Sequence, residues 1–184
     1  MLKSFFAFFL LVMAGASLAQ ETGGHQQVDL NVGWSHPFGN SLEYSVDLGG
    51  GTLLGIGGGL CMAGGSYGLQ VRRYFAIPGP LDPYLGMALS QVEGMDEVTF
   101  QSETGVKSDT AMYAMEGGIL LAPRVGLRWS VGSVRLQLNT GWGIVLRGGG
   151  SRWLAGMRDA STDRLAKLFE LGGPEGTLSG GFVF

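Results

Sequence analysis

The sequence predicts an all-β fold: an eight-stranded antiparallel up-and-down transmembrane β-barrel with a short helical extracellular loop. Three observations predict it. Apolar residues alternate with polar or small ones along nearly all of residues 28–184, the period of a strand that meets a different solvent on each face. Of 184 residues, 34 are Gly and only 15% are charged, and the mean hydropathy is +0.22, well away from an ordinary water-soluble domain. Turn signals divide the alternating runs into eight segments whose connections alternate in length.

The same composition excludes several function classes. A single cysteine, Cys61, cannot close an internal disulfide, and no CxxC or HExxH spacing offers a metal site. A net charge of -3 gives no electrostatic grip on nucleic acid. There is no GxGxxG and no Gly-Lys pair for phosphates, so no cofactor is expected.

Residues 1–19 read as a secretory signal peptide, with Lys3 as the positive start, Phe5 to Met13 as the apolar run and Ser17-Leu18-Ala19 as a small-x-small cleavage site. Residues 20–184 then form one barrel domain. The longest uncharged stretch, Leu48 to Val71, covers 24 residues, enough to cross a bilayer as a helix, but ten of them are Gly. At roughly 1 kcal/mol each relative to Ala, those glycines argue against a helix. Leu54, Ile56, Leu60 and Met62 share one parity there, and Gly55, Gly57, Gly59, Cys61 and Ala63 share the other, which is a strand with one greasy face and one small face.

The remaining strands follow in order. Val28, Leu30, Val32 and Trp34 alternate with Asp29, Asn31 and Gly33, and after the turn at residues 37–40 Leu42, Tyr44, Val46 and Leu48 alternate with Glu43, Ser45 and Asp47. The Gly-rich third strand turns at Gly64-Gly65-Ser66 into a fourth that carries Tyr67, Leu69, Val71 and Phe75, with Arg73 breaking its apolar face. Residues 78–83, rich in Pro, lead to a fifth strand with Leu85, Met87 and Leu89, followed by a polar loop over 94–109. The sixth strand, 110–131, ends in the Gly132-Ser133 turn, of a kind that suits two-residue hairpins. Pro123 inside it calls for a bulge or a break, and a break would raise the strand count to ten. Strand seven carries Val134, Leu136, Leu138, Trp142, Ile144 and Leu146; residues 148–173 turn helical, with Thr162 as a cap; the last strand is 177–184.

With the amino terminus on the periplasmic side, connections two, four and six are periplasmic and short, while the long fifth and seventh lie outside, as transmembrane barrels arrange them. Aromatic residues gather at two levels. Trp34, Tyr44, Tyr67 and Trp142 are assigned to the outer girdle, and Phe75, Trp129, Phe182 and Phe184 to the inner one.

A signal peptide, eight alternating strands and a chain ending Gly181-Phe182-Val183-Phe184 resemble the small bacterial outer-membrane β-barrel proteins, whose last strand ends aromatic-x-aromatic with a carboxyl-terminal Phe. The resemblance covers 20–184 in architecture and only the last eight residues in motif; Ser179 stands where the family prefers Gly. It implies localisation in the bacterial outer membrane after secretion across the inner membrane. It also implies that the barrel-insertion machinery reads Phe182 and Phe184, and that the surroundings are outer-membrane lipid and lipopolysaccharide.

An eight-stranded barrel is wide enough for side chains alone to fill. The parity places Asp29, Glu43 and Asp47 on the first two strands and Arg72, Arg124, Arg128 and Arg135 on the fourth, sixth and seventh, and we expect Arg72, Arg128 and Arg135 to pair with Glu43 and Asp47 and close the lumen. The glycines of the third strand are expected to leave room for the arginines. The seventh connection carries Arg147, Arg152, Arg158, Arg164 and Lys167, with Trp153, Leu154 and Met157 as apolar anchors, a set suited to lipid phosphates through Arg147, Arg152 and Arg158. Asp159, Asp163, Glu170 and Glu175 nearly cancel that charge, so a solvated lid is the competing reading.

Gly64-Gly65-Ser66-Tyr67-Gly68 matches a GxSxG elbow, but no helix follows it and both His25 and His36 precede it, the wrong order for a hydrolase. The expected function is therefore a non-enzymatic barrel, structural or adhesive, with long loops as partner surface. A narrow channel for small apolar molecules is one alternative, and a lipid A-modifying enzyme using rim residues His36 and Ser66 is another.

Overall fold

The structure is a computed structural model that describes residues 25–34, 38–61, 63–102, 109–156 and 160–184. The secretory segment 1–19 lies outside the described residues. The elements in chain order are β1 (Gln26–Trp34), β2 (Asn40–Asp47), β3 (Thr52–Cys61), β4 (Gly64–Tyr74), β5 (Leu81–Ser102), β6 (Asp109–Val131), β7 (Val134–Gly148), β8 (Ser151–Gly156), α1 (Ala160–Phe169) and β9 (Gly173–Val183). Each strand pairs antiparallel with its neighbours, and β5–β6 and β1–β9 join the sheet into a closed eight-stranded barrel, with β8 added above the rim on β6.

Closure matters because an open sheet edge cannot survive in hydrocarbon, where no water satisfies the backbone. The β1–β9 seam runs from Gln27↔Val183 to Trp34↔Gly176, and Gln26 and Phe184 exchange backbone hydrogen bonds at 3.0 and 2.9 Å, so the first and last strands are tied together at the inner rim. Among the described residues no helix is long and apolar enough to cross a membrane; the crossing elements are strands.

The period-two pattern resolves onto two surfaces. Leu138 is 61% exposed, Leu178 60% and Phe184 66%, all on the outside. Arg72 at 2%, Glu43 at 1% and Asp29 at 0% are enclosed. That is the reverse of a water-soluble barrel, and an outer face of this kind is stable only against lipid.

Three boundaries depart from expectation. β5 and β6 are 22 and 23 residues long, where a tilted strand needs only about 10 to cross; the stretch expected as a polar loop from residue 94 instead continues the hairpin to Ser102. The expected helical connection begins with β8, which pairs Arg152 with Ala114 and Trp153 with Tyr113 before α1 starts. At Pro123 there is neither bulge nor break. Its pairing with Met87 holds, and the β7 ladder skips from Leu121↔Ile144 to Arg124↔Gly141 without changing register, so the absent N–H faces an unpaired gap. The register shift lies between Ile119 and Leu120.

Above the barrel, α1 packs on the extended hairpin. Ala166 joins Val92, Phe100, Ala111, Tyr113, Met115 and Leu120 in a buried apolar cluster. The Tyr113 hydroxyl donates to Asp163 Oδ1 at 2.7 Å, fixing the start of the helix. This is an apolar core at the outer end of the barrel, under α1.

Candidate functional site: the closed interior and its two rims

Arg72 is the hub of the interior. It projects from β4, and its Nη2 donates to the Glu43 carboxylate and, at 2.7 Å, to Ser45 Oγ on β2. It also reaches Asp29 on β1 at 3.4 Å, and its Nη1 donates to Gln137 Oε1 on β7 at 2.8 Å. The Asp29 carboxylate accepts both further contacts from Gln27 Nε2, at 2.7 and 2.6 Å. Four walls are thus tied by one guanidinium, and every member is buried, so the charges are compensated by partners in place of water. Glycines make the space: a Cβ at Gly55 would strike the Glu43 carboxylate and one at Gly181 the Asp29 carboxylate.

A second buried pair lies nearer the outer side. Arg124 on β6 reaches over Gly141 of β7 to Glu175 on β9, with Nη2 to Oε2 at 3.0 Å, and its Nη1 donates to Gln70 Oε1 at 2.6 Å. A Cβ on Gly141 would come within 2.8 Å of both partners. Above it the ring of Phe38, fully buried, packs with Ala88 and Ala122. A Cβ at Gly57 would lie 2.5 Å from that ring and one at Gly68 2.9 Å. The Gly-lined wall therefore serves an arginine only at Gly55, beside the Arg72 partners Glu43 and Ser45; at Gly57 it houses a phenyl ring from the first outer turn.

At the inner end, the Tyr74 and Tyr84 rings pack at a tilt of 44° with centroids 4.9 Å apart, and Arg128 lies 3.7 Å over the Tyr74 ring. Arg128 Nη2 donates to Asp82 Oδ2 at 2.8 Å.

The placement of the expected residues is mixed. Arg72 and Glu43 meet. Asp47 does not join them; it accepts from the Gly49 amide at 2.7 Å in the first inner turn. Arg124 takes Glu175, a residue expected in the outer connection, because β9 starts at Gly173. Arg128 is held at the rim by Asp82, and Arg135 donates to the carbonyls of Gly132 and Val134, so neither reaches Glu43. Both sit too near the inner turn for their side chains to span the lumen.

Among the girdle residues, Tyr67 and Trp142 are exposed at the outer end, and Phe75, Trp129, Phe182 and Phe184 at the inner end. Trp34 closes β1 at the outer end. Tyr44 differs: it is buried, donates to Gln26 Oε1 at 2.8 Å, and pairs with Val28, which pairs in turn with Phe182, so it belongs to the inner half.

Arg147 and Arg152 are exposed at the outer rim; Arg158 lies outside the described residues, as does His36. Ser66 is buried on the interior face, away from the rim surface. Of the acids that would offset the rim's basic charge, Glu175 is inside the barrel with Arg124, Glu170 accepts from Ser151 Oγ at 2.7 Å, and Asp163 accepts from Tyr113.

Fold and outward apolar face define a membrane-spanning, closed eight-stranded β-barrel whose interior holds buried ion pairs. No family model and no curated protein matches the chain. Among solved structures it is similar to the N-terminal β-barrel domain of Pseudomonas aeruginosa OprF, at 14% identity and a TM-score of 0.49, over 88% of this chain and 99% of that one. It is also similar to Neisserial surface protein A (NspA), at 15% identity and a TM-score of 0.46, over 88% of this chain and 96% of that one.

Proposed function

We propose that the chain is an integral protein of the bacterial outer membrane, exported by residues 1–19 and inserted through the strand that ends in Phe182 and Phe184. Its role is structural or adhesive and involves no catalysis. The partner surface is the platform of the β5–β6 hairpin, β8 and α1. The observation that carries this reading is the interior: buried ion pairs tie β4 to β1 and β2, and β6 to β9, among the described residues, while α1 and the extended β5–β6 hairpin form an apolar cluster at the outer side. Arg147 and Arg152, exposed at the outer rim, contact lipopolysaccharide phosphates in this reading, with Arg158 as a further contact expected from the sequence; the pairing of Glu175 with Arg124 inside the barrel, which takes one acid away from the rim, supports it.

Two measurements test it together. The folded protein in detergent gels is expected to migrate differently before and after boiling, and purified protein in planar bilayers is expected to show no large steady conductance. A water-soluble monomer without detergent, or an open channel, would overturn the reading.

A further inference from the structure

At the inner rim a pocket of about 380 Å³ is bounded by Gly50, Gly51, Arg73, Tyr74, Phe75 and Arg128, with Asp82 as its acid. Two guanidiniums face one carboxylate, so the pocket is net cationic. The turn beside it is built from Gly49, Gly50 and Gly51 with φ of 90°, 60° and 79°, a left-handed run that only glycine adopts freely. The Gly49 amide is taken by Asp47, and Thr52 closes the turn onto the Gly49 carbonyl at 3.1 Å. The amides of Gly50 and Gly51 donate to no partner among the described residues. Successive backbone amides in such a turn form an anion-binding concavity.

Arg73 breaks the apolar alternation of β4 and stands exposed on the lipid side, anchored by Nη1 to Thr52 Oγ1 at 2.7 Å so that its head lies over Gly50. Arg128 is held on the other side by Asp82 and the Tyr74 ring. Phe75 then links the pocket to a second, apolar groove of about 800 Å³ that runs up the outer wall past Leu85, Val125, Leu127 and Leu138.

We propose that this pair of cavities is a binding site for one phospholipid of the inner leaflet, its phosphate between Arg73, Arg128 and the Gly50–Gly51 amides, and one acyl chain in the groove beyond Phe75. A cationic head site joined to an apolar groove matches an anionic head joined to a hydrocarbon tail. The proposal rests on the outward-facing apolar wall lying in lipid.

Native mass spectrometry of the full barrel, released from detergent with phosphatidylglycerol, diacylglycerol or inorganic phosphate added separately, tests it. The expected result is one phosphatidylglycerol per barrel, with Arg73→Gln weakening it about tenfold and Arg73→Lys only partly, since a bidentate guanidinium contact is lost in each. Diacylglycerol and inorganic phosphate are expected not to bind at the same concentration. Equal retention of phosphatidylglycerol by Arg73→Gln, equal binding of diacylglycerol, or saturation by inorganic phosphate would each overturn it. The boiling-dependent gel shift, measured on the same variants, is expected to be unchanged, which separates failure of this site from failure of the barrel reading.

Discussion

Arg72 of β4 hydrogen-bonds the Glu43 carboxylate of β2 across Gly55, the β3 residue that stands between them with no side chain in the way. Because Asp29 shares the same guanidinium, removing Arg72 leaves two buried carboxylates without their cation. Arg72→Met is therefore expected to destabilise the barrel by about 3–5 kcal/mol, the usual cost of breaking a buried ion pair from one side. Combining it with Asp29→Asn and Glu43→Gln should recover most of the loss, because the uncompensated charge goes too. Urea unfolding in lipid vesicles, followed by the gel shift, reads both outcomes; a triple variant no better than Arg72→Met would show that the cost is packing and not charge.

Phe38 and Gly57 form a second testable pair. Truncating a fully buried phenyl ring leaves a cavity, and Phe38→Ala is expected to cost about 3–5 kcal/mol. Gly57→Ala drives a methyl into the ring face, at 2.5 Å, and should destabilise on its own. If the two share one space, the double variant will be more stable than the sum of the singles predicts. Strict additivity in the same urea titration would place the ring elsewhere.

The barrel was legible in the sequence because each crossing strand meets lipid on one side and packed polar groups on the other, which enforces period two over every span. That signal stops where the two solvents stop. Above the rim, β5 meets water on both sides except at Val92, Val98 and Phe100, and Gly94 with the shift between Met95 and Val98 breaks the parity, so the strand read as a loop. β8 reads as irregular for the same reason: Arg152, Trp153 and Leu154 are all exposed, and nothing alternates. The interior was legible residue by residue but not pair by pair. Parity gives a side, whereas partner choice depends on height along a tilted wall, which put Arg128 and Arg135 at the rim and brought Glu175 inside. Phe38 carried no signal of its own; the glycines at 57 and 68 marked the vacancy, but not what fills it.

The outward direction of the apolar residues is open to a direct test at Leu138, exposed on β7. Leu138→Arg places a guanidinium against acyl chains and is expected to cost about 2–4 kcal/mol at mid-bilayer depth, while Leu138→Phe should change stability by less than about 1 kcal/mol. Urea titration in vesicles measures both. An arginine tolerated as well as a phenylalanine would mean that this face meets water.

The outer platform and the barrel are expected to come apart under mild conditions. α1 is held to the hairpin by Ala166 in the apolar cluster and by the Tyr113 hydroxyl on Asp163. Tyr113→Phe keeps the ring, and with it the edge-on contact to Phe100 at 5.6 Å, but removes the donor to a charged acceptor, a loss of about 1–2 kcal/mol. Because the barrel ladders below do not depend on that hydroxyl, the change should fall on the helix alone. Amide hydrogen exchange is expected to quicken about tenfold or more across 160–169 and to stay unchanged across β1–β4. Exchange that quickens everywhere would mean that platform and barrel unfold as one unit, and exchange unaltered at 160–169 would mean that apolar contact by itself fixes the helix.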